Sequence, residues 1–149
     1  MEICPNITVR EYVCPHMYAA FGDRAIRFIP EKTRILLNWA RNDVWKVPII
    51  INNAAMGLTQ RGVRCNICQL VADKTKVNKL YLSAHNFAAG FDGSSTRMTA
   101  DEMRDAILKN ANKAPFKLRL ESAKCAPTWC HTDYLCEYDQ KEMVRVFDA

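Results

Sequence analysis

Phe116-Lys117-Leu118-Arg119-Leu120-Glu121 alternates apolar and charged side chains at every step. This is the period of two with which a strand buries one face and wets the other. Outward from it, Trp129 to Leu135 and Met143 to Phe147 are further short strands, so strands gather late in the chain. Earlier segments read as helices. Thr99 and Glu102 stand at capping-box spacing ahead of Met103, Ile107 and Ala111, and Pro115 ends that helix. Glu31 to Trp45 follows Pro30 and carries the i,i+4 rows Ile35/Trp39 and Leu36/Ala40/Val44. Thr8 with Glu11 opens a short helix limited by Pro15, and Cys68 to Val77 is a less periodic one. Val47-Pro48-Ile49-Ile50-Ile51 is β-branched and predicts a buried strand with proline near its start. Asn52 to Arg64 reads as a loop and Leu80-Tyr81-Leu82 as a brief strand. Helices first and strands late predict an α+β protein, a mainly antiparallel sheet packed with helices.

The 149 residues contain no repeat, linker or composition break, which predicts a single domain over residues 1–149. With 49% apolar and 25% charged residues, collagen, coiled coil and intrinsic disorder are excluded. No apolar run approaches the ~20 residues a bilayer requires, so no membrane insertion is expected. Met1-Glu2-Ile3-Cys4-Pro5 lacks a basic leader and apolar block, so synthesis in the cytoplasm without a signal peptide is expected. The net charge is +5, but Lys and Arg are scattered, the densest cluster being Lys74, Lys76 and Lys79, and no nucleic-acid partner is expected.

Seven cysteines, an odd number, predict mostly free thiols. Cys65-x2-Cys68 with Cys125 and Cys130 is a second possible zinc set, which a nucleic-acid-binding zinc module would need. Four residues separate Cys125 from Cys130, however, and buried thiols acting as small apolar groups are the preferred reading. His16, beside Cys14 and Pro15, has no partner pattern and reads as structural.

Signatures of phosphate-binding loops, hydrolase elbows and zincins are missing. The other two of the three histidines lie in Ser83-Ala84-His85-Asn86-Phe87-Ala88-Ala89-Gly90-Phe91-Asp92 and Thr128-Trp129-Cys130-His131-Thr132-Asp133. Seven extended residues span roughly 25 Å, so His85 and Asp92 share a ligand only if the chain turns back, which small Ala88, Ala89 and Gly90 permit. Two imidazoles and a carboxylate form the three-ligand set of a catalytic zinc with one open position.

Ser83-x-His85-x6-Asp92, followed by Trp129-x-His131-x-Asp133, resembles the metal signature of the zinc D-Ala-D-Ala carboxypeptidases, the M15 peptidases. That family includes phage endolysins and shares its fold with the hedgehog signalling domain. The upstream helix, Pro48 to Ile51 and Arg61-Gly62-Val63-Arg64 follow the family's order, and the resemblance spans about residues 31 to 135. There are two departures from the pattern: Ala88 and Gly90 exchange the family's usual small residues, and Thr128 stands where many members carry an acidic residue.

The resemblance implies a hedgehog/DD-peptidase-like fold with Zn²⁺ held by His85, Asp92 and His131. It implies Glu121, in the place of a strand-end glutamate, as the catalytic general base, and Arg64 as the group that binds a substrate carboxylate, with Ser83 also contacting substrate. The function so implied is that of a zinc metallopeptidase, a hydrolase of peptidoglycan stem or cross-link peptides. It would work as a monomer of carboxypeptidase or endopeptidase type, at the bacterial cell wall in phage lysis or as a virion component. The alternative is a non-catalytic zinc-binding structural module of the same fold.

Overall fold

The computed structural model describes residues 1–149. A two-stranded hairpin, β1 (Glu2–Cys4) and β2 (Ile7–Thr8), leads into α1 (Val9–Tyr12). The expected capping box closes this helix, with Thr8 and Glu11 each accepting from the other's backbone N–H. Next come α2 (Pro15–Phe21), a 3₁₀ segment (Gly22–Phe28) and α3 (Glu31–Asn38). The expected helix to Trp45 is present, but Trp39–Trp45 winds as a wider π-helix that buries Trp39, Ala40 and Trp45 together. The chain continues through α4 (Gln69–Lys76), β3 (Gly90–Gly93), α5 (Ala100–Lys109), β4 (Leu118–Glu121), β5 (Cys130–Asp133) and β6 (Val144–Phe147). Thr99 and Glu102 form the second capping box, at the start of α5.

The four-stranded sheet runs β3-β5-β4-β6, antiparallel at the first two pairings and parallel at the last. The class is therefore α+β with mostly antiparallel strands, as the sequence predicts. Phe91, Leu118, Leu120 and Cys130 point from one face into a core shared with Leu36, Leu37, Trp45, Met103 and Ile107. Each large apolar side chain buried there contributes roughly 1.5–3 kcal/mol. The alternate positions, Asp92, Arg119, Glu121, His131 and Asp133, share the opposite face.

Register sets what is adjacent on that face: Asp92 pairs with His131, Gly90 with Asp133, and Arg119 with Asp133. At Gly90 a side chain is excluded, since a Cβ would lie 2.4 Å from Asp133 Cβ and 2.7 Å from the Thr132 carbonyl. Gly62 is pressed against the α1 end in the same way, with a Cβ position 1.8 Å from Tyr12 O. The flanking Val13 and Val63 form a parallel bridge that ties the two segments together.

Two expectations are corrected, and one alternative falls away. Val47 to Ile51 is not a strand: only Ile50 forms a bridge, to Ser94, because exposed Pro48 has no N–H to donate and no partner strand lies alongside. Leu80-Tyr81-Leu82 is also irregular, with both leucines exposed rather than packed. The set Cys65, Cys68, Cys125 and Cys130 does not assemble, because Cys130 sits in the main core and Cys125 lies beside the Ala149 carbonyl.

Candidate metal centre

The turn between His85 and Asp92 begins at Ser83, whose backbone N–H and Oγ both donate to Asn86 Oδ1. Asn86 N–H returns to the Ser83 carbonyl and Ala89 N–H to that of Ala84, so the chain doubles back before β3. Ala88 takes a left-handed conformation, φ 52°, which a residue with a Cβ seldom adopts. Its carbonyl accepts from Tyr12 Oη and Thr33 Oγ1, and Tyr12 Oη also donates to the Gly90 carbonyl. These buried bonds fix the entry into β3.

The reversal brings His85, Asp92 and His131 together, their ligating atoms all within 4.8 Å of one another. His85 Nε2 lies 3.4 Å from Asp92 Oδ1, about the edge of a tetrahedron whose centre is ~2.1 Å from each atom. His131 Nδ1 lies 2.7 Å from the same oxygen, a direct hydrogen bond. All three residues are buried.

The remaining ring nitrogens define which atoms face a metal. His85 Nδ1–H donates to the Gly62 carbonyl at 2.8 Å, leaving Nε2 for an ion. His131 Nε2–H donates to Asp133 Oδ2 at 2.9 Å, so Nδ1, which donates to Asp92 here, is the nitrogen that would turn to an ion on losing its proton. Asp133 is in turn gripped by both prongs of Arg119, at 2.9 and 3.0 Å. Outer partners of this kind fix imidazole orientation and raise ligand basicity.

Asp133 is the residue that sequence reasoning left without a place in the ligand shell. Its signal was spacing: two residues apart on a strand, His131 and Asp133 share a face.

Electrostatics follow the geometry. Burial pushes the Asp92 carboxyl up, but hydrogen bonds from His131 and His85 outweigh it and hold it well below the usual carboxylate range. Burial also opposes charge on His131, yet bonds to Asp133 and Asp92 prevail and lift its pKa to about 9. Asp133 is lowered by His131 and Arg119 against the same desolvation. At Glu121, by contrast, burial dominates and raises the pKa.

These residues line a cavity of about 350 Å³, together with Arg64, Tyr81, Ser83, Trp129 and Phe147. Continuing the β4/β5 register one step beyond Leu120 and Thr132 brings Glu121 level with His131. Arg64 donates from Nε to the Gln60 carbonyl at 2.6 Å and from Nη1 to Tyr81 Oη at 2.8 Å. Its Nη2 lies 3.5 Å from Asp92 Oδ2. The structure thus gathers every sequence-nominated residue in one cavity, although the Ser83 hydroxyl is already engaged by Asn86. A larger cavity of about 510 Å³ lies between α1, α2 and residues 49–58, but its one carboxylate, Glu11, is tied into the α1 capping box.

Two imidazoles and a carboxylate could hold a divalent metal ion, and three protein ligands leave coordination positions free. No protein-family model matches the chain, and neither a curated protein nor a solved structure matches it.

Proposed function

We propose that the chain is a zinc metallopeptidase of the M15 type, with a hedgehog/DD-peptidase-like fold, that hydrolyses stem or cross-link peptides of peptidoglycan. The observation that carries the reading is the convergence of His85, Asp92 and His131, each imidazole braced from behind, on a cavity that also holds half-buried Glu121. The peptidoglycan substrate, and a setting at the bacterial wall in phage lysis or a virion, rest on the resemblance of the two histidine segments.

A bound Zn²⁺ supplies Lewis-acid polarisation of the scissile carbonyl and activation of water. The protein supplies the rest. Glu121 takes the proton from the attacking water and delivers it to the leaving amine; its raised pKa brings it nearer the range in which a carboxyl both accepts and releases protons. Arg64, its fork held by Gln60 and Tyr81, offers positive charge to a substrate carboxylate at the cavity wall. Trp129 and Phe147 supply apolar wall that limits water. Ser83 shapes the rim through its turn with Asn86 rather than by a free hydroxyl.

Incubation of the zinc-loaded protein with purified muropeptides, followed by mass spectrometry, tests the reading. Release of D-alanine or loss of cross-links, abolished by chelation and restored by zinc, is the expected result. A zinc-loaded protein inert on every muropeptide overturns it in favour of the non-catalytic module, to which Thr128, in place of the family's acidic residue, already leans.

A further inference from the structure

Cys14 and His16, which bracket Pro15 at the start of α2, meet Cys65 and Cys68 in a group that shares no residue with the lining of the cavity described above. Cys65 Sγ lies 3.6 Å from His16 Nδ1 and 3.8 Å from Cys68 Sγ, and Cys68 Sγ lies 3.8 Å from His16 Nδ1. Cys14 completes the group, whose four ligating atoms all fall within 4.8 Å of one another. A tetrahedral zinc with bonds of about 2.3 Å to sulfur and about 2.0–2.1 Å to nitrogen has edges of roughly 3.8 Å between sulfurs and 3.6 Å between sulfur and nitrogen. The observed separations fit those edges and are far too long for a disulfide.

The Cys65-x2-Cys68 segment is turned so that both sulfurs lie close to the His16 ring. The turn is closed by Cys68 N–H on the Cys65 carbonyl at 3.1 Å.

We propose that Cys14, His16, Cys65 and Cys68 bind a structural zinc ion in a closed Cys₃His site, separate from the His85 centre. Binding forms three Zn–S bonds and one Zn–N bond, and each of the three thiols releases its proton to solvent. His16, read from sequence as structural, is a ligand here, and Cys65-x2-Cys68 takes its partners from the N-terminal segment instead of from Cys125 and Cys130. The ion pins α2 to the strap that carries Gly62 and Arg64. That strap supplies the carbonyl behind His85 and the guanidinium beside Asp92. The second site therefore positions the first without touching it.

The test is metal content of the full-length chain purified under reducing conditions, with cobalt substitution as a second readout. About two zinc equivalents are expected in the wild type and about one in His131→Ala, with the thiolate-to-cobalt charge-transfer absorption retained in that variant. Cys65→Ser/Cys68→Ser should lose that absorption, whereas Cys125→Ser should keep both ions. Should the double variant fail to fold, an organomercurial added to the wild type should release about one zinc equivalent as it caps the thiols. Cobalt protein without a thiolate band, or His131→Ala protein devoid of metal, overturns the proposal without touching the proposed peptidase activity, which rests on the other ion.

Discussion

Asp133 Oδ2 lies 2.9 Å from His131 Nε2 while both of its oxygens are held by Arg119, so the imidazole is fixed by a carboxylate that cannot itself rotate. This places a chain of three side chains behind one metal-facing nitrogen. Asp133→Asn keeps the shape but discards the charge and leaves the Arg119 guanidinium without its partner. Zinc affinity at the His85 centre should fall about 10- to 100-fold, as measured by competition with a chelating dye. Unchanged affinity would show that the pair serves only the fold.

His131→Ala should remove the ion from the His85 centre, because two remaining ligands cannot close the site. Isothermal titration of metal-stripped protein should then lose one binding phase. Retention of both phases contradicts the assignment of His131 as a ligand.

Glu121→Gln is nearly isosteric and keeps the strand-end hydrogen bond in which the residue's carbonyl accepts from Arg104. Its amide takes no proton, so kcat on muropeptides should drop by about two orders of magnitude or more with KM and zinc content little changed. A variant with wild-type kcat removes Glu121 from the mechanism.

Gly90→Ala inserts a methyl group where Asp133 Cβ stands 2.4 Å away. β3 and β5 must part, and stability should fall by roughly 1–3 kcal/mol in a urea titration, as overpacking does. Because the same pairing sets Asp92 against His131, zinc affinity should weaken along with it. Loss of stability with metal affinity intact would mean that the ligands readjust independently of the strands.

What was legible in the sequence was what is local. The capping boxes Thr8/Glu11 and Thr99/Glu102 lie within four residues, and the alternation through Glu121 names its own two faces. His85, Asp92 and His131 were legible because histidine is rare in this chain and each lies beside a turn or strand signal. The failures share a different cause. Val47 to Ile51 and Leu80 to Leu82 have strand composition, but a strand exists only where a partner runs alongside, and the first segment meets one at Ile50 alone while the second meets none. β3 was missed for the converse reason: its terminal glycines weaken any strand pattern, yet Gly90 is what allows close approach to β5. His16 faces sulfurs 49 and 52 residues away in the chain, a pairing that no short-range spacing encodes.

Strand β5 behaves like a reading frame of two. Cys130 and Thr132 belong to the interior, whereas His131 and Asp133 belong to the cavity, and nothing but phase separates the two assignments. One residue inserted at the start of the strand would exchange them wholesale, driving an imidazole and a carboxylate into hydrocarbon and turning a thiol toward the cavity. The same insertion beside Lys124, whose side chain is 81% exposed in the preceding loop, leaves the phase intact. Length is thus free to drift just ahead of the centre, while within four consecutive residues it is not.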